Sequence, residues 1–104
     1  MKLERVELGN EFIGSIFFSL KIPEFTRNAF DVCHGGALTT YVDISTTTAL
    51  YAFDEKSRAQ VSAKLDMDFI AAANVDEEVM IEAKINKIGK NLAFTEAKLI
   101  GTKK

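Results

Sequence analysis

Residues 34–53 read HGGALTTYVDISTTTALYAF, and the hydrophobic spacing of this stretch decides the fold. Leu38, Tyr41, Val42, Ala49 and Phe53 recur at intervals that bring them to one side of a helix. Asp43 and Thr46 to Thr48 are the main polar breaks. Threonine is a poor helix former, costing a few tenths (about 0.5 kcal/mol) relative to alanine, so packing must hold this segment helical. The expectation is a largely buried central helix with a sheet wrapped around it.

On both sides of that helix the period becomes two. Phe12, Gly14, Ile16, Phe18, Leu20 and Ile22 alternate with a set that includes Glu11, Ser15, Ser19 and Lys21, the mark of a half-buried strand that Pro23 ends. A loop from Glu24 to Cys33 leads to the helix. Beyond it, Val61, Ala63, Leu65, Met67 and Phe69 oppose Ser62, Lys64, Asp66 and Asp68. Val79, Ile81, Ala83 and Ile85 repeat the pattern, and Gly89-Lys90-Asn91 turns the chain into a last strand from Leu92 to Ile100. The N-terminal residues 1–7 alternate charged with apolar side chains, and no element is assigned to them. The predicted order is strand, helix and three strands, an α+β domain with an antiparallel sheet on one helix, spanning 1–104 as a single domain.

Composition narrows the function. With 47% hydrophobic and 27% charged residues the chain can build a core, which excludes a disordered segment. A formal charge of −2 offers no long-range attraction to nucleic acid or to an anionic membrane, so any anionic ligand must be held by local donors. The single cysteine, Cys33, forms no internal disulfide, and neither a secretion signal nor a bilayer-spanning apolar run is visible. The expected location is cytoplasmic, with mitochondrial association as the alternative. A domain this small gains from oligomerising.

The chemistry gathers between Asn28 and Asp43. Two glycines at a helix entrance, Gly35 and Gly36, let a ligand approach the first helical N–H groups, which have no intrahelical partner. Such donors, at the positive end of a helix dipole, can stabilise an acyl oxygen that gains charge during attack. Asp43 lies eight residues past Gly35, roughly 12 Å along a helix. One chain therefore cannot bring both to the same carbon, whereas two helices side by side in a dimer could. Cys33 as a nucleophile would need a nearby base, and no cysteine and histidine cluster has metal-ligand spacing.

His34-Gly35-Gly36, with Asp43 nine residues past the histidine, Asn28 six before it and Ser62 beyond, resembles the PaaI-type hotdog thioesterases. It is most like their thioesterase superfamily member 2 (acyl-CoA thioesterase 13) branch, whose late hairpin is similar to residues 89–95, GKNLAFT. The resemblance runs from about Leu3 to Ile100 and implies a hotdog fold, a sheet wrapped around one helix, that hydrolyses acyl-CoA. It implies that Asn28 and Gly35 of one subunit meet Asp43 of another. Asn28 would place water and thioester, the Gly35 amide would polarise the carbonyl, and Asp43 would act as base or nucleophile. His34 would orient the loop and Ser62 would assist the water. Gly36, Phe69, Asn74, Lys87, Gly89, Lys90 and Asn91 would bind CoA. No metal or cofactor is implied, and the expected assembly is a homodimer or homotetramer. Asp31 stands where the branch carries glycine, and the branch's N-terminal helix and final strand have no counterpart here. Two further readings stay open: a hotdog module that binds acyl-CoA or a protein without turnover, and a hotdog dehydratase, which would use a histidine on the helix.

Overall fold

The computed structural model describes residues 1–30, 32–56, 58 and 73–101. Among these, β1 (Lys2–Leu8), β2 (Gly14–Lys21), β3 (Glu78–Ile88) and β4 (Ala93–Gly101) form one antiparallel sheet in the order β1-β2-β3-β4. The one α-helix among the described residues, α1 (Gly35–Phe53), packs against it, preceded by a short 3₁₀ turn at Glu24–Thr26. The expected α+β architecture and the β3–β4 hairpin are both present. The strand expected over 61–69 lies outside the described residues.

Strand β1 was not expected. It is an edge strand in which every residue is exposed, so it offers no contrast between a buried and a solvated face. A bulge between Leu3 and Arg5 also interrupts its register against β2. Its signal was the alternation in residues 2–8, which reads as period two once the skipped residue is allowed for.

Strand β2 buries its even positions as expected, yet Ser15 and Phe17 on the other face are buried too. The neighbouring edge strand supplies the cover, with the Arg5 guanidinium 3.8 Å from the centroid of the Phe17 ring. In β3, Val79, Ile81, Ala83 and Ile85 are all buried, as the alternation requires.

The helix is less buried than its sequence suggested. Leu38, Ser45, Thr46, Ala49 and Leu50 are buried, Tyr41, Val42 and Phe53 are half-buried, and Ile44 and Tyr51 are exposed. Two of the buried residues are hydroxylated, and each bonds back to its own helix. Ser45 Oγ donates to the Tyr41 carbonyl at 2.7 Å and Thr46 Oγ1 to the Val42 carbonyl at 3.0 Å, so neither hydroxyl is buried unpaired.

Two apolar clusters lie between helix and sheet. Ile16, Phe18, Ala49, Leu50, Ile81, Ala83 and Ile85 pack under the C-terminal half of α1. Leu20, Ile22, Cys33, Leu38, Ala73 and Val79 pack at its N-terminal end. Tyr41 touches both clusters. Each fully buried isoleucine contributes about 1.5–3 kcal/mol of transfer free energy. The sheet and these clusters hold α1 in place and so fix where its two ends emerge.

Candidate active site

The loop before α1 is a narrow ladder that delivers three candidate residues to the helix entrance. Thr26 is buried, and its carbonyl accepts the His34 N–H at 2.7 Å. Arg27 bridges Cys33, and the Asn28 N–H donates to the Val32 carbonyl at 2.9 Å. At the tip, Asn28 Oδ1 accepts the Phe30 N–H at 2.8 Å and the Val32 N–H at 3.3 Å, an Asx turn. The carboxamide oxygen is thereby committed to the loop, and the Nδ2 group is the end that can donate elsewhere. Asp31 lies outside the described residues.

His34 is the helix N-cap. Its Nδ1 accepts the Gly36 N–H at 3.0 Å, which places the ring proton on Nε2 and leaves the imidazole exposed. A Cβ on Gly36 would stand 3.2 Å from that Nδ1, so glycine keeps the cap uncrowded. The first helical bond runs from the Leu38 N–H to the His34 carbonyl at 3.0 Å. The Gly35 N–H finds no acceptor among the described residues. It is a donor at the positive end of a helix, free of the cap beside it.

Asp43 is half-buried on α1, which runs unbroken from Gly35. The separation of roughly 12 Å inferred from helix rise therefore holds in the folded chain. Within one chain, Gly35 and Asp43 are not brought together. Ser62 and Phe69 lie outside the described residues.

The remaining candidates divide between the two ends of the helix. Asn74 is exposed and bridges Val32, beside the helix entrance, where its N–H donates to Glu77 Oε1 at 3.0 Å. Lys87, Gly89, Lys90 and Asn91 cluster at the β3–β4 turn. There the Gly89 N–H donates to the Leu92 carbonyl at 2.7 Å, and a Cβ on Gly89 would stand 2.8 Å from that oxygen. An open cavity of about 210 Å³ lies at the turn, lined by Arg58, Ile88, Gly89, Lys90, Asn91, Leu92 and Ala93. This turn is tied to the far end of α1, because Arg58 Nη1 donates to the Lys90 carbonyl at 2.8 Å and Arg58 Nε to Asp54, the C-cap, at 3.1 Å. A helix of 19 residues is roughly 28 Å long, so one chain does not gather Asn74 and Lys90 around one small ligand.

Residues 30–102 match the thioesterase superfamily. The chain is 32% identical over 97 residues to human acyl-coenzyme A thioesterase 13, a match that covers 93% of this chain and 69% of the relative. The chain belongs to the thioesterase superfamily. Among solved structures, zebrafish thioesterase superfamily member 2 superposes with a TM-score of 0.79 at 28% identity, covering 97% of this chain and 70% of that one. The Escherichia coli PaaI protein superposes at 0.80 with 16% identity, covering 97% and 71%, and shows the same hotdog fold.

Within this thioesterase domain, sequence reasoning missed Asp54 and Arg58. Asp54 follows the last helical residue and Arg58 lies four further on, a spacing that ordinarily marks a solvated surface pair. The burial of the Asp54 carboxylate, whose side chain is 3% exposed, comes from the tertiary fold. The Arg58 side chain, together with the Lys56 and Arg58 N–H groups, holds the Asp54 carboxyl below its ordinary value. Among the described residues no three His, Cys, Asp or Glu side chains group to hold a metal, and no helix is long and apolar enough to cross a membrane.

Proposed function

We propose that this chain hydrolyses acyl-CoA thioesters at sites shared between two copies of itself. The observation that carries the reading is the pairing of a Gly35 N–H with no acceptor among the described residues, at the α1 entrance, with Asp43 roughly 12 Å along the same helix. Two antiparallel helices side by side would set the Gly35 of one copy against the Asp43 of the other, and the exposed Ile44, next to Asp43, lies on the part of α1 such a contact would reach. The relative's name, acyl-coenzyme A thioesterase, supplies the substrate class.

In the proposed reaction the thioester carbonyl oxygen rests on the Gly35 N–H, and Asn28 Nδ2 donates to the water or to the thioester. The Asp43 carboxylate of the second copy takes a proton from the attacking water. The tetrahedral intermediate then breaks its C–S bond, and the CoA thiolate takes that proton from Asp43 to leave as the thiol, with the free acid as the other product and the carboxylate restored. His34 acts through the loop, as the cap that spares Gly35. Ser62 remains a proposed aid to the water. The chemistry needs no cofactor, and the charge and cysteine content suit a cytoplasmic setting.

The dehydratase reading is the weaker one. The chain has a single histidine, and His34 sits at the helix entrance with Nδ1 engaged as a cap rather than on the helix face. Thiol release from a panel of acyl-CoAs separates hydrolysis from binding without turnover. Site sharing is tested by complementation. Asn28→Ala and Asp43→Ala chains, each nearly inactive, are mixed, unfolded and refolded together. Half the dimers formed are then mixed, each with one intact site, so about a quarter of the original activity should return. A mixture no more active than its parents, with mixed dimers confirmed by mass, refutes a shared site.

A further inference from the structure

A charged pair that the proposed reaction does not use closes the C-terminal end of α1. The Asp54 carboxylate accepts the Lys56 N–H at 3.1 Å, the Arg58 N–H at 3.2 Å, Arg58 Nε at 3.1 Å and Arg58 Nη2 at 3.4 Å. The third nitrogen of the guanidinium, Nη1, reaches across to the Lys90 carbonyl at 2.8 Å. Every guanidinium nitrogen thus has a partner, and the charge of Arg58 is neutralised by a buried carboxylate. Arg58 is held as a strut rather than offered as a cation.

What the strut holds is the 89–92 turn, one wall of the 210 Å³ cavity. Lys90 and Asn91 are exposed there, and Lys90 makes no ion pair with a described residue. A turn closed by one backbone bond, from the Gly89 N–H to the Leu92 carbonyl, would otherwise be free to rock about β3 and β4. A ligand meeting a turn already fixed is spared the cost of ordering it.

We propose that Arg58, oriented by Asp54, is a positioning residue that pre-organises the 89–92 turn, whose Lys90 and Asn91 the family resemblance already assigns to CoA, for the phosphate-bearing half of a CoA thioester. The identity of the ligand rests on the thioesterase reading above. The strut itself rests on the three-way contact among Asp54, Arg58 and the Lys90 carbonyl.

Arg58→Lys keeps the positive charge but cannot span carboxylate and carbonyl together, and Asp54→Asn keeps the shape of the C-cap while releasing the guanidinium. Each variant is compared with the original chain on an acyl-CoA and on the N-acetylcysteamine thioester of the same acid, which carries no phosphate. CoA affinity is measured by calorimetry. In both variants KM for acyl-CoA and Kd for CoA should rise roughly tenfold, the loss expected from one or two newly mobile side chains, with kcat within about twofold. Kinetics on the truncated thioester should not change. Equal losses on both thioesters would reduce the pair to a purely structural role and overturn the proposal. So would full CoA affinity in Arg58→Lys, which would show that charge alone suffices, or an original chain with no measurable affinity for CoA. If the original chain binds CoA but releases no thiol, and Arg58→Lys still weakens binding tenfold, only the hydrolysis reading falls.

Discussion

The two ends of α1 solve opposite problems. At the N-terminal end the chain leaves backbone donors open: His34 caps Gly36, and the Gly35 N–H is left without an acceptor among the described residues. The loop around it carries Phe25 and Phe30, which are 86% and 84% exposed. At the C-terminal end the Asp54 N–H bonds to the Leu50 carbonyl, and the Asp54 carboxylate accepts from Lys56 and Arg58. Phe53 there packs onto Gly14 so tightly that a Cβ on that glycine would stand 2.6 Å from the ring. Unsatisfied backbone is costly when buried, so it persists where a ligand or a second chain can complete it. The contrast separates the end at which the proposed chemistry would occur from an end closed on its own side chains.

The largest expected effect breaks the chemical end. Asp43→Asn, nearly isosteric, should lower kcat by about 10²-fold or more while leaving CoA affinity as it was, because it removes only the proposed base. Near-normal turnover in a folded variant would move the base elsewhere.

Gly35→Pro should cost about 10²-fold in turnover by deleting a single donor. The fold should tolerate it. Proline is favoured at the first helical position, where the N–H has no intrahelical partner, and His34 at ψ 136° already has the extended backbone required before proline. A melting temperature matching that of the parent, together with unchanged turnover, would show that the amide is not used.

The anchored end should respond in stability instead. Gly14→Ala forces Phe53 or the Glu7 carbonyl, 2.8 Å from the added Cβ, to move, and should destabilise the fold by about 1–3 kcal/mol in denaturant titrations. Activity per folded molecule should change little. A variant as stable as the parent would mean that Phe53 can leave the glycine at no cost.

The smallest effect is a dependence on pH. The Asp54 carboxyl sits below its ordinary value, chiefly through the Arg58 hydrogen bond, so the folded state favours its ionised form. That contribution is present in full above the unfolded value, about 3.9, and is lost as pH falls through the lower folded one. The difference in melting temperature between the parent and Asp54→Asn should therefore shrink as pH drops below about 4. A difference that stays constant or grows would separate the carboxylate's charge from its role as a cap.

Much of the fold was legible because alternation and helical spacing report burial directly. The even positions of β2, the four inward residues of β3, the turn at Gly89-Lys90-Asn91 and the extent of α1 follow from period and from glycine placement, while Leu92, expected to open the last strand, closes the turn and β4 begins at Ala93. Strand β1 was missed because the bulge between Leu3 and Arg5 breaks its short alternation, and its residues are all exposed, so its period reports no buried face. Leu38, Tyr41, Ala49 and Phe53 meet the core as expected, but the burial of Ser45 and Thr46 was not legible, because their hydroxyls turn back onto helix carbonyls and let polar residues face the sheet.

By itself the sequence named the candidate residues and fixed how far apart Gly35 and Asp43 stand along one helix, since helix rise converts eight positions into roughly 12 Å whatever surrounds it. Only the tertiary structure decided which groups remain available to act. Hydrogen bonds between distant segments commit the Asn28 oxygen to its loop, His34 to its cap and Arg58 to the Lys90 carbonyl. Such partnerships depend on where the sheet places each end of α1, and no local pattern encodes that placement.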